Sequence, residues 1–246
     1  MRNRHLIHLC SVLVAALAMA ASTGERTVGS VSFYIGDVRW RTGEGPWQQA
    51  RLELPLTAAH ELRTGPESRA ELKLGSSVVR LGEQSLVRLA DLAVHEGAAE
   101  GGLQLVIGRI WSRLRGLGEG GLEVRSPTAV MAVRGTTFRA EAEADSSLAL
   151  WVYEGRVDTG PPRGGQVGST PAAGSSGGAP VPVQGAPRPV PGPYEITLAE
   201  WVQVVQGQLL RLRADGRYAV EPFDPEGDRQ EDWVRWNLER DAHFDD

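Results

Sequence analysis

The chain has 246 residues, 41% of them hydrophobic and 23% charged, and a formal net charge of -5. Ordinary apolar content with few long apolar runs excludes a collagen-like chain, a wholly disordered one and a polytopic membrane protein, and the length allows one or two domains with a real core. The positive charge sits on dispersed arginines, Lys73 being the only lysine, so the chain offers no electrostatic footprint for nucleic acid.

Residues 1–20 read as a signal peptide. Arg2 and Arg4 form a basic start, and the apolar stretch from Leu6 to Ala21 is broken only by His8, Cys10 and Ser11. Ala18-Met19-Ala20 supplies the small residues of a cleavage site. The stretch is shorter than the ~20 apolar residues that a membrane span needs. The expected product is periplasmic or secreted, without stable membrane insertion. Cleavage removes Cys10, the only cysteine, so neither a disulfide nor thiolate chemistry is expected. The loss of Arg2 and Arg4 takes the formal charge from -5 to -7.

A β domain is expected over 21–159. From Val28 to Asp158 apolar residues alternate with polar ones, as in Ala70-Glu71-Leu72-Lys73-Leu74 and Leu148-Ala149-Leu150-Trp151-Val152, the two-residue period of half-buried strands. A looser pattern recurs at Gly36-Asp37, Gly108-Arg109, Gly155-Arg156 and Gly207-Gln208, where an apolar strand meets glycine and a polar residue before a second strand. Its intervals of 72, 47 and 52 residues are too uneven for a fixed repeat. The predicted class is all-β, many short strands in a sandwich-like or irregular solenoid arrangement, with a short C-terminal amphipathic helix.

Residues 160–193 hold 9 Gly and 9 Pro with only Arg163 and Arg188 charged. Such a segment cannot bury enough apolar surface to order itself, and it reads as a linker. Residues 194–221 return to strand character and are too few for a core of their own, so they are expected to complete the first sheet. In the acidic tail, 222–246, Asp228 is expected to cap a helix with Glu231 as its capping-box partner. Trp233, Trp236 and Arg240 at i, i+3 and i+7, with Val234 and Leu238 four apart, give that helix an apolar face. Docking on the β body is the expected role, and partner binding the alternative.

Catalytic motifs fail on context. Gly174-Ser175-Ser176-Gly177-Gly178 matches a nucleophile elbow but lies in the linker. Gly116-Leu117-Gly118-Glu119-Gly120-Gly121 precedes a strand rather than the helix that a dinucleotide fingerprint requires. The acidic run from Asp224 to Asp228 misplaces its glycine for a calcium loop and has Arg235 at the twelfth position. His60, His95 and His243 lack ligand spacing. No catalytic residue, cofactor or metal is predicted.

The segment Ser126-Pro127-Thr128-Ala129-Val130-Met131-Ala132-Val133-Arg134-Gly135-Thr136-Thr137-Phe138 sets an arginine and a glycine in an otherwise apolar run. Pro127 suits the start of a strand, Gly135 suggests a bulge or a close backbone approach, and a buried Arg134 would need a carboxylate or carbonyls around it. This run closely resembles the signature of the FecR domain family. Trp47, Leu62-Arg63-Thr64-Gly65, Ser68-Arg69-Ala70-Glu71, Gly108-Arg109-Ile110 and Tyr153-Glu154-Gly155-Arg156-Val157 agree in order, so the resemblance spans about 28–158. The tail with Trp233, Trp236, Arg240 and Asp241 looks like the ends of related secreted proteins. The family's namesake relays a signal from an outer-membrane receptor to a sigma factor through a transmembrane helix and a cytoplasmic segment. Neither is expected here, so the resemblance implies an exported, non-catalytic module that binds an envelope protein in signalling or assembly. A carbohydrate or peptidoglycan binder is the alternative, and an envelope hydrolase with unpaired carboxylates a third. The candidate interaction residues are Arg134, Gly135, Thr136, Phe138, Trp233 and Trp236. Arg134 is expected in a buried ion pair that fixes register, with ligand contact as the alternative. Trp47, Trp151 and Trp201 are expected in the core rather than as a sugar platform.

Overall fold

The computed structural model describes residues 26–96, 98–115, 121–162, 196–197 and 201–243. The expected signal peptide, nearly all of the linker with its elbow-like serines, and the glycine-rich run up to Gly120 lie outside the described residues.

Nineteen strands and two helices are described. The first nine are β1 (Thr27–Ile35), β2 (Val38–Thr42), β3 (Gln48–Gln49), β4 (Pro55–Thr57), β5 (His60–Thr64), β6 (Arg69–Leu74), β7 (Ser77–Leu81), β8 (Leu86–Arg88) and β9 (Ala93–His95). A long β10 (Ala98–Arg113) precedes β11 (Leu122–Arg125), β12 (Val130–Val133), β13 (Thr137–Ala142), β14 (Leu148–Glu154) and β15 (Arg156–Gly160). The chain then adds β16 (Ile196–Thr197), β17 (Val202–Val205), β18 (Gln208–Leu212), β19 (Arg217–Pro222), α1 (Pro225–Asp228) and α2 (Asp232–Ala242). The fold is all-β with a short C-terminal helix, its antiparallel sheet curled into a half-barrel.

Two layers emerge from the pairing. The first runs β4-β1-β6-β7-β10-β13-β14-β18-β19-β16. The second runs β3-β2-β5-β8-β10-β11-β12-β15-β17. β10 belongs to both, bending at Gly108. There φ is +89°, and a Cβ would sit 2.5 Å from Ser85 Cα, so both conformation and space demand glycine.

Most other glycine–polar dipeptides seen in the sequence are likewise points where the chain crosses between layers. One row of crossings joins β1 to β2, β5 to β6 and β7 to β8 and includes Gly108; Gly65 N–Asp37 O at 2.8 Å, Gln84 N–Gly65 O at 3.1 Å and Gly82 N–Arg109 O at 2.9 Å tie it together. A second row joins β12 to β13, β14 to β15 and β17 to β18, with Gln206 N–Gly155 O at 3.0 Å and Gly207 N–Val152 O at 2.9 Å. The rows lie at opposite ends of the first layer, because Gly108 pairs with Ala142 while Arg113 pairs with Thr137. The switch of ends coincides with the one parallel pairing described, β10 with β11 over Gly101–Gln104 and Leu122–Arg125.

Inward residues of both layers merge into one core. Val31, Leu72, Val79, Ile110, Phe138 and Leu150 come from the first layer; Leu62, Val87, Leu105, Met131, Val157 and Val204 come from the second. Burial on this scale, at about 1.5–3 kcal/mol for each large aliphatic side chain, is what holds the two layers face to face. β17 and β18 pair with β15 and β14, so residues 202–212 extend both layers rather than forming a separate body.

Candidate functional site

The signature segment forms one crossing of the second row. Ser126 and Ala129 close a turn, with Ser126 N donating to Ala129 O at 2.8 Å and Ala129 N donating to Ser126 Oγ at 3.0 Å, and β12 follows. Val133 ends β12 in the core, and the chain then leaves the layer through Arg134 and Gly135. Thr136 is buried; its hydroxyl donates to Arg156 O at 2.7 Å and fastens this crossing to its neighbour at Gly155. Phe138 is fully buried between the layers. A depression of about 240 Å³ lies beside the crossing, lined by Leu114, Arg115, Gly135, Thr136, Thr137 and Glu154.

Two expectations for this segment are corrected. Gly135 has φ +58° with open space where a Cβ would stand, so glycine is favoured by backbone conformation and not by a close approach. Arg134 is exposed. A run of apolar neighbours had suggested burial, but the chain turns out of the layer at this residue.

The buried arginine is Arg80, on the outer face of the first layer. In-register pairing aligns Phe33, Glu71, Arg80, Trp111, Arg139, Trp151 and Leu209 in one lateral row across seven strands. Alternation alone would turn this row to solvent. Instead α2 lies over it. Arg80 is fully buried, with its guanidinium 2.7 Å from Glu71 and 2.6 Å from Asp241 of the helix. Arg240 reaches Glu71 at 2.9 Å, and Ser32 Oγ donates to Glu71 Oε1 at 2.8 Å. Trp111 Nε1 donates to Asp241 Oδ2 at 2.8 Å, and Arg113 Nη1 donates to Asp241 O at 2.5 Å. Every partner on the helix is at least 128 residues away in sequence from its partner on β7 and β10.

Trp233 and Trp236 stack at 5.4 Å and pack with Trp111 and Val234 as a small second core. Trp233 is buried and Trp236 half-buried against Phe33, so the tryptophan face of the helix is turned onto the sheet. The helix starts later than expected. Glu231 is its N-cap residue and makes no side-chain cap, while Asp224 caps α1 by accepting from Glu226 N. Asp228 and Glu231 turn sideways because the sheet offers stronger partners than orphan backbone N–H groups. Glu231 pairs with Arg139 at 2.6 Å and Arg109 at 2.9 Å, and Asp228 accepts from the Tyr153 hydroxyl. Arg139 also lies over the Trp151 ring at 3.7 Å. Burial pushes the Tyr153 phenol up strongly; Arg139 opposes that, and the bond to Asp228 reinforces it.

Burial alone would raise Glu71, but hydrogen bonds from Arg240, Arg80 and Ser32 outweigh it and hold the carboxyl below its ordinary 4.5. A depressed folded pKa means that Glu71 stabilises the fold fully above that ordinary value and ceases to as pH falls through the folded one. Glu71→Gln is therefore less stable than the parent near pH 7, and the gap closes on acidification through the lowered folded value of Glu71. Urea unfolding across that range checks this, and a gap independent of pH contradicts it.

The outer face of the second layer carries Arg39, Arg41, Glu61, Arg63, Arg88 and Arg125. Glu61 bridges Arg41 at 2.7 Å and Arg88 at 2.6 Å, Asp37 holds Arg39 at 2.8 Å, and Glu123 holds Arg125 at 2.9 Å. Trp47 is half-buried here, outside the main core, with the guanidinium carbons of Arg41 and Arg63 over its ring at 4.6 and 4.4 Å. Trp151 is buried, and Trp201 is half-buried against Gly160.

His60 stacks on Trp40, His95 pairs with Glu100 and His243 meets Glu239 O, so the three histidines stay apart. Among the described residues, no three His, Cys, Asp or Glu side chains converge to hold a metal ion, and no helix is long and apolar enough to cross a membrane.

Residues 60–158 match the family model described as FecR protein. No curated protein matches the chain. Among solved structures, two crystal structures of a protein described as a putative anti-sigma factor from Parabacteroides distasonis ATCC 8503 are similar at 14% identity and a TM-score of 0.45. The similarity covers 67% of this chain and 60% of that one, so the chain spans less than two thirds of that protein's length.

Proposed function

From the premise that residues 60–158 form a FecR domain, we propose that the protein is an exported, non-catalytic interaction module that binds another protein of the cell envelope, in signalling or assembly. The family match carries this reading, since FecR-type domains are associated with anti-sigma-factor signalling. The basic, apolar and small-residue pattern of residues 1–20 supports export. The surface supports a binding role in a second way. The chain's own helix covers one outer face of the sheet, while the arginine-bearing face of the second layer keeps half-exposed side chains such as Arg39 and Arg88.

In-cell crosslinking of the tagged full chain, followed by mass spectrometry, tests the proposal. The expected result is one reproducible envelope protein, absent from an exported tag alone, joined to a chain whose N-terminus follows Ala20. Glycan fragments without protein would replace this reading with the carbohydrate-binding one. Retention of the chain in the cytoplasm would remove it.

A further inference from the structure

We propose that the outer face of the second layer holds a binding site for a carboxylate, supplied by an Asp or Glu side chain of an acidic peptide segment on the partner protein, with Arg63 as the anchor. The inference rests on the protein-binding reading and names the surface that performs it.

Cross-strand charge gives the first reason. Arg39 and Arg63 stand directly opposite each other in the β2–β5 pairing, an arrangement that destabilises an antiparallel pair. Asp37 offsets Arg39. Arg63 makes no ion pair among the described residues, although Arg39, Arg41, Arg88 and Arg125 on the same face all do. A bound carboxylate would relieve the repulsion and satisfy a planar guanidinium fork.

Space gives the second. A cavity of about 360 Å³ opens beside Arg63, lined also by Asp37, Trp47, Thr64, Gly65, Pro66, Gln84, Ser85 and Leu86. It combines the Arg63 cation, the Gln84 amide and apolar walls, and its one carboxylate, Asp37, is already paired with Arg39, so the composition fits an acidic side chain on a partly apolar segment. Gly65 and Gln84 belong to the first row of layer crossings and are tied by Gln84 N–Gly65 O at 3.1 Å, so the cavity has a hydrogen-bonded floor.

The ring of Trp47 decides between a peptide and a sugar. Sugar recognition by stacking needs a bare aromatic face. Here the guanidinium groups of Arg41 and Arg63 lie over the ring, which favours holding the cations in place for an anion.

The probe is an acetylated, amidated tripeptide, Leu-Glu-Leu, titrated into the full exported chain while NMR follows the Trp47 indole and arginine Nε–H signals. Saturable shifts confined to Trp47 and Arg63 are expected, with none from the Leu-Gln-Leu analogue. Arg63→Met should weaken binding at least about tenfold (about 1.4 kcal/mol) with no fall in melting temperature. Arg134→Met, on the second row of crossings, should leave it unchanged. Equal shifts from both peptides, or binding unaffected by Arg63→Met, would overturn the proposal. Tighter binding of glucuronic acid at the same residues would overturn it in favour of an anionic glycan. Failure here is separable from failure of the functional reading. A captured envelope protein that Arg63→Met still retains removes only the site, whereas saturable peptide binding with no partner captured in cells removes only the reading.

Discussion

Arg80→Met lowers the stability of the domain by about 3–5 kcal/mol, the cost of breaking a buried ion pair from one side. The substitution leaves Glu71 and Asp241 facing each other beneath α2 without the guanidinium that lies within 2.7 Å of both. Arg240 still reaches Glu71, and Trp111 and Arg113 still reach Asp241, so the helix is loosened before it is lost. Arg134→Met, by contrast, changes stability by no more than about 0.5 kcal/mol, because Arg134 is exposed where the chain leaves β12. Urea unfolding of both variants with matched m-values checks the pair. Comparable losses at the two positions would show that the buried network does not carry the helix.

The second large effect is at Trp233. Trp233→Ala costs about 3–5 kcal/mol, since it empties the centre of the small core formed with Trp111 and Val234. Trp233→Phe is much milder. The indole Nε1 of Trp233 is buried without a hydrogen-bond partner among the described residues, so phenylalanine removes an unsatisfied donor along with some contact area. Trp111→Phe should be the more damaging aromatic exchange, because the Trp111 indole donates to Asp241. If Trp233→Phe cost as much as Trp233→Ala, the packing described for the helix would be wrong. Circular dichroism melts of the three variants separate these cases.

The sequence reveals the strands more readily than their arrangement. Alternation in Ala70-Glu71-Leu72-Lys73-Leu74 correctly turns Ala70, Leu72 and Leu74 inward. It also implies that Glu71 faces water, and this fails because a helix more than 160 residues away covers that position. Local periodicity reports the two faces of a strand but not what a later element lays on them. The same limit explains Arg80 and Trp111, ordinary outward positions by period, whose partners depend on the register of six other strands.

The glycine–polar pattern at Gly36, Gly108, Gly155 and Gly207 is visible by inspection, but its meaning is not. These are among the places where the chain passes between layers, and their uneven spacing reflects the further crossings, as at Gly65 and Gly82, that fall between them. The signature around Arg134 was legible as a unit. The turn at Ser126–Ala129, the anchoring hydroxyl of Thr136 and the core ring of Phe138 give these parts of it a structural role. The pairing of Arg39 with Arg63 was hidden, since it needs the β2–β5 register.

Site-directed photocrosslinking in living cells tests the central claim most directly. A photoreactive residue would be placed at Gln49 or Arg88 on the second layer's outer face or at Gln84 in the crossing beside it, and at Arg235 and Glu239 on the helix as controls. Crosslinks from the layer positions to one and the same envelope protein, with none from the helix, are the predicted result. Crosslinks to that protein from the helix alone, or none from any position in an exported chain, would contradict the account.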